Sequence, residues 1–429
     1  MKRMSVLARL SCSAASISLG CGLMICSAWL QGSASIASPQ QSAFPAERGV
    51  RAPVFERKSY NPAVLHVRFT DAKGRTTSQQ ADAFLDLTLI LSSGDVEGIR
   101  VELLRQEFTQ QLRKLYSQLS RLESLNVDDP ASPSRQLHAV IFQGLMPFLE
   151  QEKVTTLLIA ADRGLQAIPF AALSDGEQFF GDRYAFAITP SLALTEFNSS
   201  ETPGKRLLAF GASQFEGLTD LPLVPQELNR LEASAGKDQF LNQEFTPSNL
   251  LQKAGASDYN QLHVATHAEF KPGGPEASQL HSGTGPISMS QLAQLRRSRQ
   301  GVPFDLVVFS ACRTALGDAD AELGFSGLAL QAGARSAIGT LWYVDDVATS
   351  AYFVQMYRYL RQGIPKAESM QMTRQAFQRG LVRLVDDQVI GVDDTPLLTE
   401  LTPIQQRRIK HGLTNPFYWA GIELMGAPW

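Results

Sequence analysis

The chain has 429 residues, 44% of them hydrophobic and 19% charged, with a formal net charge of −3. This is globular composition with enough apolar material for a large core, which excludes a low-complexity chain. No dense Lys/Arg stripe supplies the clustered charge that phosphate contacts need, so no nucleic-acid partner is expected.

Lys2, Arg3 and Arg9 precede an uncharged stretch from Leu10 to Ala46 whose centre, Ile17 to Leu30, is apolar. Ser35-Ile36-Ala37 fits the small-x-small pattern of a cleavage site, so residues 1–37 read as a signal peptide. An uncleaved anchor is the alternative, because the apolar part approaches the length that crosses a bilayer. Either reading implies export, to the periplasm or the extracellular space, with membrane attachment if the segment is retained. No further membrane span is expected. Residues 38–61, rich in Pro, Gln, Ser and Ala, read as a linker. Residues 62–429 read as one domain, with 62–153 its N-terminal strand and helix portion.

Val64–Phe69 and Phe84–Leu91 are expected strands, and Leu103–Leu125 and Ser134–Glu150 expected helices, from their apolar periods. From Thr155 onward strands and helices alternate. The expected strands are Leu157–Ala160, Leu207–Phe210, Leu262–Ala265, Leu306–Phe309, Ala337–Leu341 and Trp419–Leu424. The expected helices are Pro225–Ala235, Pro247–Ala254, Leu323–Ala332, Asp346–Arg361, Lys366–Gly380 and Thr402–His411. His281–Gly285 and Leu384–Thr399 read as surface excursions. Such alternation predicts an α/β fold, a mostly parallel sheet with helices on both faces.

The segment DLVVFSACRTALGD, Asp305 to Asp318, delivers Cys312 at the C-terminal end of an apolar run. QLHVAT, Gln261 to Thr266, delivers His267 in the same way. Ligands of open α/β sheets collect at the carboxyl ends of strands, and a thiol beside an imidazole is a nucleophile and its base. Cys12, Cys21 and Cys26 lie within 1–37, so Cys312 is the only thiol of a processed chain. It forms no internal disulfide there, and reads as a reactive thiol or as a buried small hydrophobe.

Several blocks together carry a family likeness: TLLIAADRGLQAIPFAALSDG (Thr156–Gly176), LHVATHAEF (Leu262–Phe270), VVFSACRTALGD (Val307–Asp318), ELGFSGLALQAGARSAIGTLWYVDDVAT (Glu322–Thr349) and NPFYWAGIELMG (Asn415–Gly426). In order and spacing they resemble the CHAT domain, a caspase-like family common in bacteria, from about Asn61 to Trp429. The resemblance implies a caspase-hemoglobinase fold and a His/Cys dyad, which falls on His267 and Cys312. These stand 45 residues apart (312 − 267), near the roughly 50 of caspase-type pairs. The helical tetratricopeptide repeats that many members carry are not found in this sequence. Caspase relatives usually have Gly after the histidine, where this chain has Ala268. The backbone N–H groups of Ala268 and Cys312 would bind the oxyanion, and alanine reaches positive φ less cheaply than glycine.

The expected function is therefore an exported caspase-like cysteine endopeptidase acting on a protein or peptide substrate. The alternatives are a non-catalytic binding or sensor module, and a thiol hydrolase acting on a non-peptide acyl group. Arg313 reads as favouring the thiolate, or as pairing with Asp318 or Asp320. Asp318, Asp320 and Asp162 read either as a pocket for a basic side chain or as solvated loop. His263 and His267 are four apart, about 13 Å on a strand, too far to share a metal ion. His263 is expected to be a packed, hydrogen-bonded strand residue, and Asp345 a helix N-cap. No metal and no cofactor is expected. No phosphate-loop motif occurs, and the glycines from Gly324 to Gly339 read as close packing.

Overall fold

A computed structural model describes residues 61–72, 81–162, 164–195, 204–269, 278–311, 324–343 and 345–429. The expected signal segment and the expected linker up to residue 60, and with them Cys312, Arg313, Asp318 and Asp320, lie outside the described residues.

Among the described residues, eleven strands form one sheet. They are β1 (Pro62–Asp71), β2 (Ala83–Ile90), β3 (Val96–Leu103), β4 (Thr156–Ala161), β5 (Ala185–Thr189), β6 (Leu207–Gly211), β7 (Lys237–Leu241), β8 (Gln261–Ala265), β9 (Leu306–Ser310), β10 (Ser336–Thr340) and β11 (Ile422–Gly426). The spatial order is β3-β2-β1-β4-β5-β11-β10-β9-β8-β6-β7. Residues 62–189 thus build one flank and residues 207–426 the other. Parallel pairing runs through β7, β6, β8, β9 and β10, and joins β1, β4 and β5. The β1–β2, β2–β3 and β10–β11 pairs are antiparallel. The central strands QLHVA, LVVFS and SAIGT are buried at every residue, as a sheet covered on both faces requires.

The principal helices are α1 (Arg105–Ser120), α2 (Pro133–Ile141), α3 (Met146–Gln151), α4 (Val224–Arg230), α5 (Pro247–Gly255), α6 (Gly324–Gln331), α7 (Asp346–Arg361), α8 (Lys366–Gln378) and α9 (Pro403–Ile409). Asp345 caps α7 as expected, its carboxylate accepting from the Val347 and Ala348 N–H groups at 3.0 and 3.2 Å. All described elements fall within a compact unit, Val50–Trp429.

The differences from expectation have local causes. The helix expected over Leu103–Leu125 begins only at Arg105, because Val96–Leu103 is an edge strand with Ile99, Val101 and Leu103 turned inward. The helix expected over Ser134–Glu150 is two, α2 and α3. Pro147 has no N–H to continue the ladder, so it sits in the first turn of a new helix. Strands β3, β5 and β7 were not expected. The two supposed surface excursions are ordered three-stranded sheets or part of them. One joins Ala268–Glu269, Gln279–His281 and Pro286–Ser288, and the other joins Arg383–Val385, Gln388–Ile390 and Pro396–Leu398. The second buries Val389, Leu397 and Leu398, so it is a piece of the core.

Candidate active site

β8 and β9 pair in parallel, with Gln261 opposite Leu306 and Ala265 opposite Ser310. The two strands therefore end level. The ladder runs one step further, because the Thr266 N–H donates to the Ser310 carbonyl at 3.3 Å. On the far side, the Thr340 hydroxyl donates to the Ala311 carbonyl at 2.8 Å and fixes the exit of β9.

His267 follows as a partly exposed residue at this rim. Its Nε2 lies 2.7 Å from the Thr219 carbonyl, and its ring packs on Phe215 with centroids 4.6 Å apart. A carbonyl only accepts, so Nε2 carries the proton and Nδ1 is the basic nitrogen of the neutral ring. The segment that supplies both partners is itself tied down. The Asp220 carboxylate accepts from the Phe215 N–H at 3.2 Å, and the Leu221 N–H donates to the Ser213 carbonyl at 2.9 Å. The Asn242 side-chain carbonyl accepts from the Ser213 N–H at 2.8 Å. Gly283 closes the arrangement from below: a Cβ there would stand 1.8 Å from the Asn242 carbonyl oxygen, so only glycine lets the backbones approach.

Ala268 lies in the extended pair Ala268–Glu269 and is not among the positive-φ residues. The position therefore asks nothing of the backbone that alanine cannot give. The His281 N–H donates to the His267 carbonyl at 2.9 Å, and alternation along an antiparallel ladder then turns the Ala268 N–H away from that neighbour.

His263 is fully buried, as expected, and its role is structural. Its Nε2 meets Glu227 Oε1 at 2.8 Å, and the Ser350 hydroxyl donates to Glu227 Oε2 at 2.6 Å. Phe353 and Tyr357 close over the ring edge-on. This network pins β8 between α4 and α7, and so anchors the strand that presents His267. It was not legible in the sequence, since its members stand 36 and 123 residues apart.

Asp162 is a correction. β4 and β8 are separated by five strand spacings in the sheet order, about 24 Å at ~4.8 Å each, so Asp162 does not line a pocket at His267. It lies instead 3.9 Å from Arg68 as an exposed ion pair. Among the described residues no group of three or more His, Cys, Asp or Glu could hold a metal ion. Nor is any described helix long and apolar enough to cross a membrane.

No curated protein sequence matches the chain. Among solved structures, the separase–securin complex of Saccharomyces cerevisiae is similar at 10% identity and a TM-score of 0.50. That match covers 87% of this chain and 30% of the other, so the chain corresponds to under a third of that protein's length. The Arg-specific cysteine proteinase gingipain R is similar at 12% identity and a TM-score of 0.41, covering 67% of this chain and 68% of that one. The likeness to separase is one of fold, the caspase-like α/β sheet expected from the sequence. The CHAT domain matches residues 131–427, most of the chain. The chain belongs to the CHAT domain family.

Proposed function

We propose that the protein is a cysteine endopeptidase working through His267 and Cys312. The observation that carries this reading is the fixed orientation of His267, its Nε2 held by the Thr219 carbonyl and its Nδ1 left as the base. It stands two residues beyond Ala265, and Cys312 stands two residues beyond Ser310, the register partner of Ala265.

In the proposed cycle His267 Nδ1 takes the thiol proton of Cys312, and the thiolate attacks the substrate carbonyl carbon. The N–H groups of Ala268 and Cys312 bind the oxyanion, and Arg313 favours the thiolate. The imidazolium then gives its proton to the departing amine as the C–N bond breaks, leaving a thioester. Water, deprotonated by His267, attacks the thioester, and the thiolate leaves and regains its proton. The Thr219 carbonyl accepts from Nε2–H in both the neutral ring and the imidazolium and so holds the ring's orientation, a task that a carboxylate performs in other triads. Asp318 and Asp320 are proposed to border the substrate pocket. The segment 1–37 is proposed to direct export to the periplasm or the extracellular space, by cleavage or as an anchor.

Incubation of an unfolded protein substrate with wild type, Cys312→Ala and His267→Ala tests the assignment. Cleavage is expected from wild type alone. Fragments produced equally by Cys312→Ala would refute it.

A further inference from the structure

At the rim opposite His267, where β6, β8, β9 and β10 begin, the chain forms a cleft of about 480 Å³. It lies roughly 20 Å from the imidazole, measured along β8. Arg206, Arg299 and Arg335 line it, with Val302 and Pro303 among its apolar walls. Arg299 is 3% exposed, and its hydrogen bonds all go to neutral carbonyls. Its Nε donates to Val302 at 2.9 Å, Nη1 to Ala254 and Ala256 at 2.9 and 2.6 Å, and Nη2 to Tyr259 at 2.8 Å. One Nη2–H is left unspent. The guanidinium also lies 3.7 Å from the Phe304 ring centroid. These contacts fix the group but leave it without a counter-ion, whereas buried charges are as a rule paired. Burial brings its pKa down to about 10, and no carboxylate opposes the shift. The neighbouring carboxylates are taken or solvated. Asp305 holds Lys205 and Lys366, and Asp238 accepts from Arg206 Nη2 at 2.7 Å and from the Tyr259 hydroxyl at 2.6 Å. Asp258, at the mouth, is exposed. Arg206 keeps 42% of its side chain open, and its Nε and Nη1 have no partner among the described residues.

We propose that this cleft binds a small organic phosphate, its phosphate group facing Arg206 and Arg299 and its apolar body lying on Val302 and Pro303. A phosphate monoester presents three terminal oxygens, enough to accept from more than one guanidinium, and it gives Arg299 the counter-charge that the fold omits. The carbonyls around Arg299 hold that group in place before the ligand arrives, so binding orders little. Neither arginine belongs to the rim that carries His267, and the proposal stands apart from the peptidase reading.

The test titrates phenyl phosphate, inorganic phosphate and benzoate into the full-length protein by isothermal titration calorimetry. Phenyl phosphate is expected to bind saturably at millimolar concentration or below, at least about fivefold more tightly than either of the others. Arg206→Gln, at a half-open side chain, is expected to weaken that binding by about tenfold. Val302→Glu brings a carboxylate to the mouth at a position 47% exposed, and is expected to abolish it. His267→Ala is expected to bind as wild type does. Circular dichroism establishes that each variant is folded, and the two cleft variants do not depend on each other. Absence of saturable binding, or an affinity unchanged in whichever cleft variant is folded, overturns the proposal. Equal affinity for inorganic phosphate would show an adventitious ion only, and equal affinity for benzoate a site without preference for phosphate. A loss in His267→Ala would put the ligand at the other rim. Each of these three results also overturns it.

Discussion

At the scale of single residues the protein places several ionisable groups where water does not reach, and these set its response to pH. Burial pushes the Glu368 carboxyl up to about 7, against the opposing hydrogen bond from the Thr156 hydroxyl at 2.5 Å. Burial likewise raises Glu423 well above the ordinary carboxylate range, with Arg374 opposing it. A carboxyl protonated in the folded state and ionised in the unfolded chain contributes fully below about 4.5, and its contribution is lost as pH rises through about 7. For Glu368 this amounts to on the order of 3 kcal/mol. Thermal unfolding is therefore predicted to shift to lower temperature between pH 5 and pH 8. Glu368→Gln, which still offers Thr156 an acceptor, should flatten that slope and be the more stable form at pH 8. A slope unchanged by the substitution would show that other groups set it. Glu227 makes a separate prediction. Its replacement by Ala leaves His263 and Ser350 buried without their partner, and should lower stability by about 2–4 kcal/mol in urea unfolding.

Among elements, those that carry the site were read from the sequence most easily, and the reason is burial. β8, β9 and β10 are covered on both faces and carry no charged side chain, so each reads as a short buried strand bounded by small or turn residues. Edge strands lack that signature. In β3 the exposed face carries Arg100, which bonds Asp86 across the ladder at 2.6 Å, and β7 reads KDQFL, so charge hid the alternation in both. The candidate site divided in the same way. His267 was legible because a side chain with its own chemistry ends a strand. Thr219 was not, because it acts through a backbone carbonyl that any residue supplies, 48 positions away. Nothing in the one-dimensional pattern tells that Asp162 and His267 are five strands apart. The caps make a prediction at this scale. Asp345→Ala removes the acceptor for two N–H groups of α7 and the Arg408 ion pair at 3.1 Å, and should cost about 1–2 kcal/mol.

For the whole molecule, the sheet is continuous across two flanks, and α8 ties them together. Its Glu368 meets Thr156 of β4, Arg374 donates to the Gly181 carbonyl at 3.2 Å, and the Ala367 N–H reaches the Pro428 carbonyl beyond β11 at 2.9 Å. At its first turn Lys366 is buried against Asp305, which also pairs with Lys205 at 2.5 Å. Burial alone would raise the Asp305 carboxyl, but the two lysines hold it down at about 2. Asp305→Ala strands the Lys366 ammonium in the interior and is predicted to destabilise the whole domain by about 3–5 kcal/mol, seen as a single shifted unfolding transition. Loss of only a part of the structure would show instead that the two flanks unfold independently. The same continuity gives His267 a rigid base, since β8 lies within the sheet, clamped by β6 on one side and β9 on the other.

The pairing of His267 with Cys312 is tested most directly by the rate at which a peptidyl acyloxymethyl ketone modifies Cys312, compared between wild type and His267→Ala at equal fold content. Modification is expected to slow by about 100-fold or more when the imidazole is removed. Equal rates in the two proteins would contradict it.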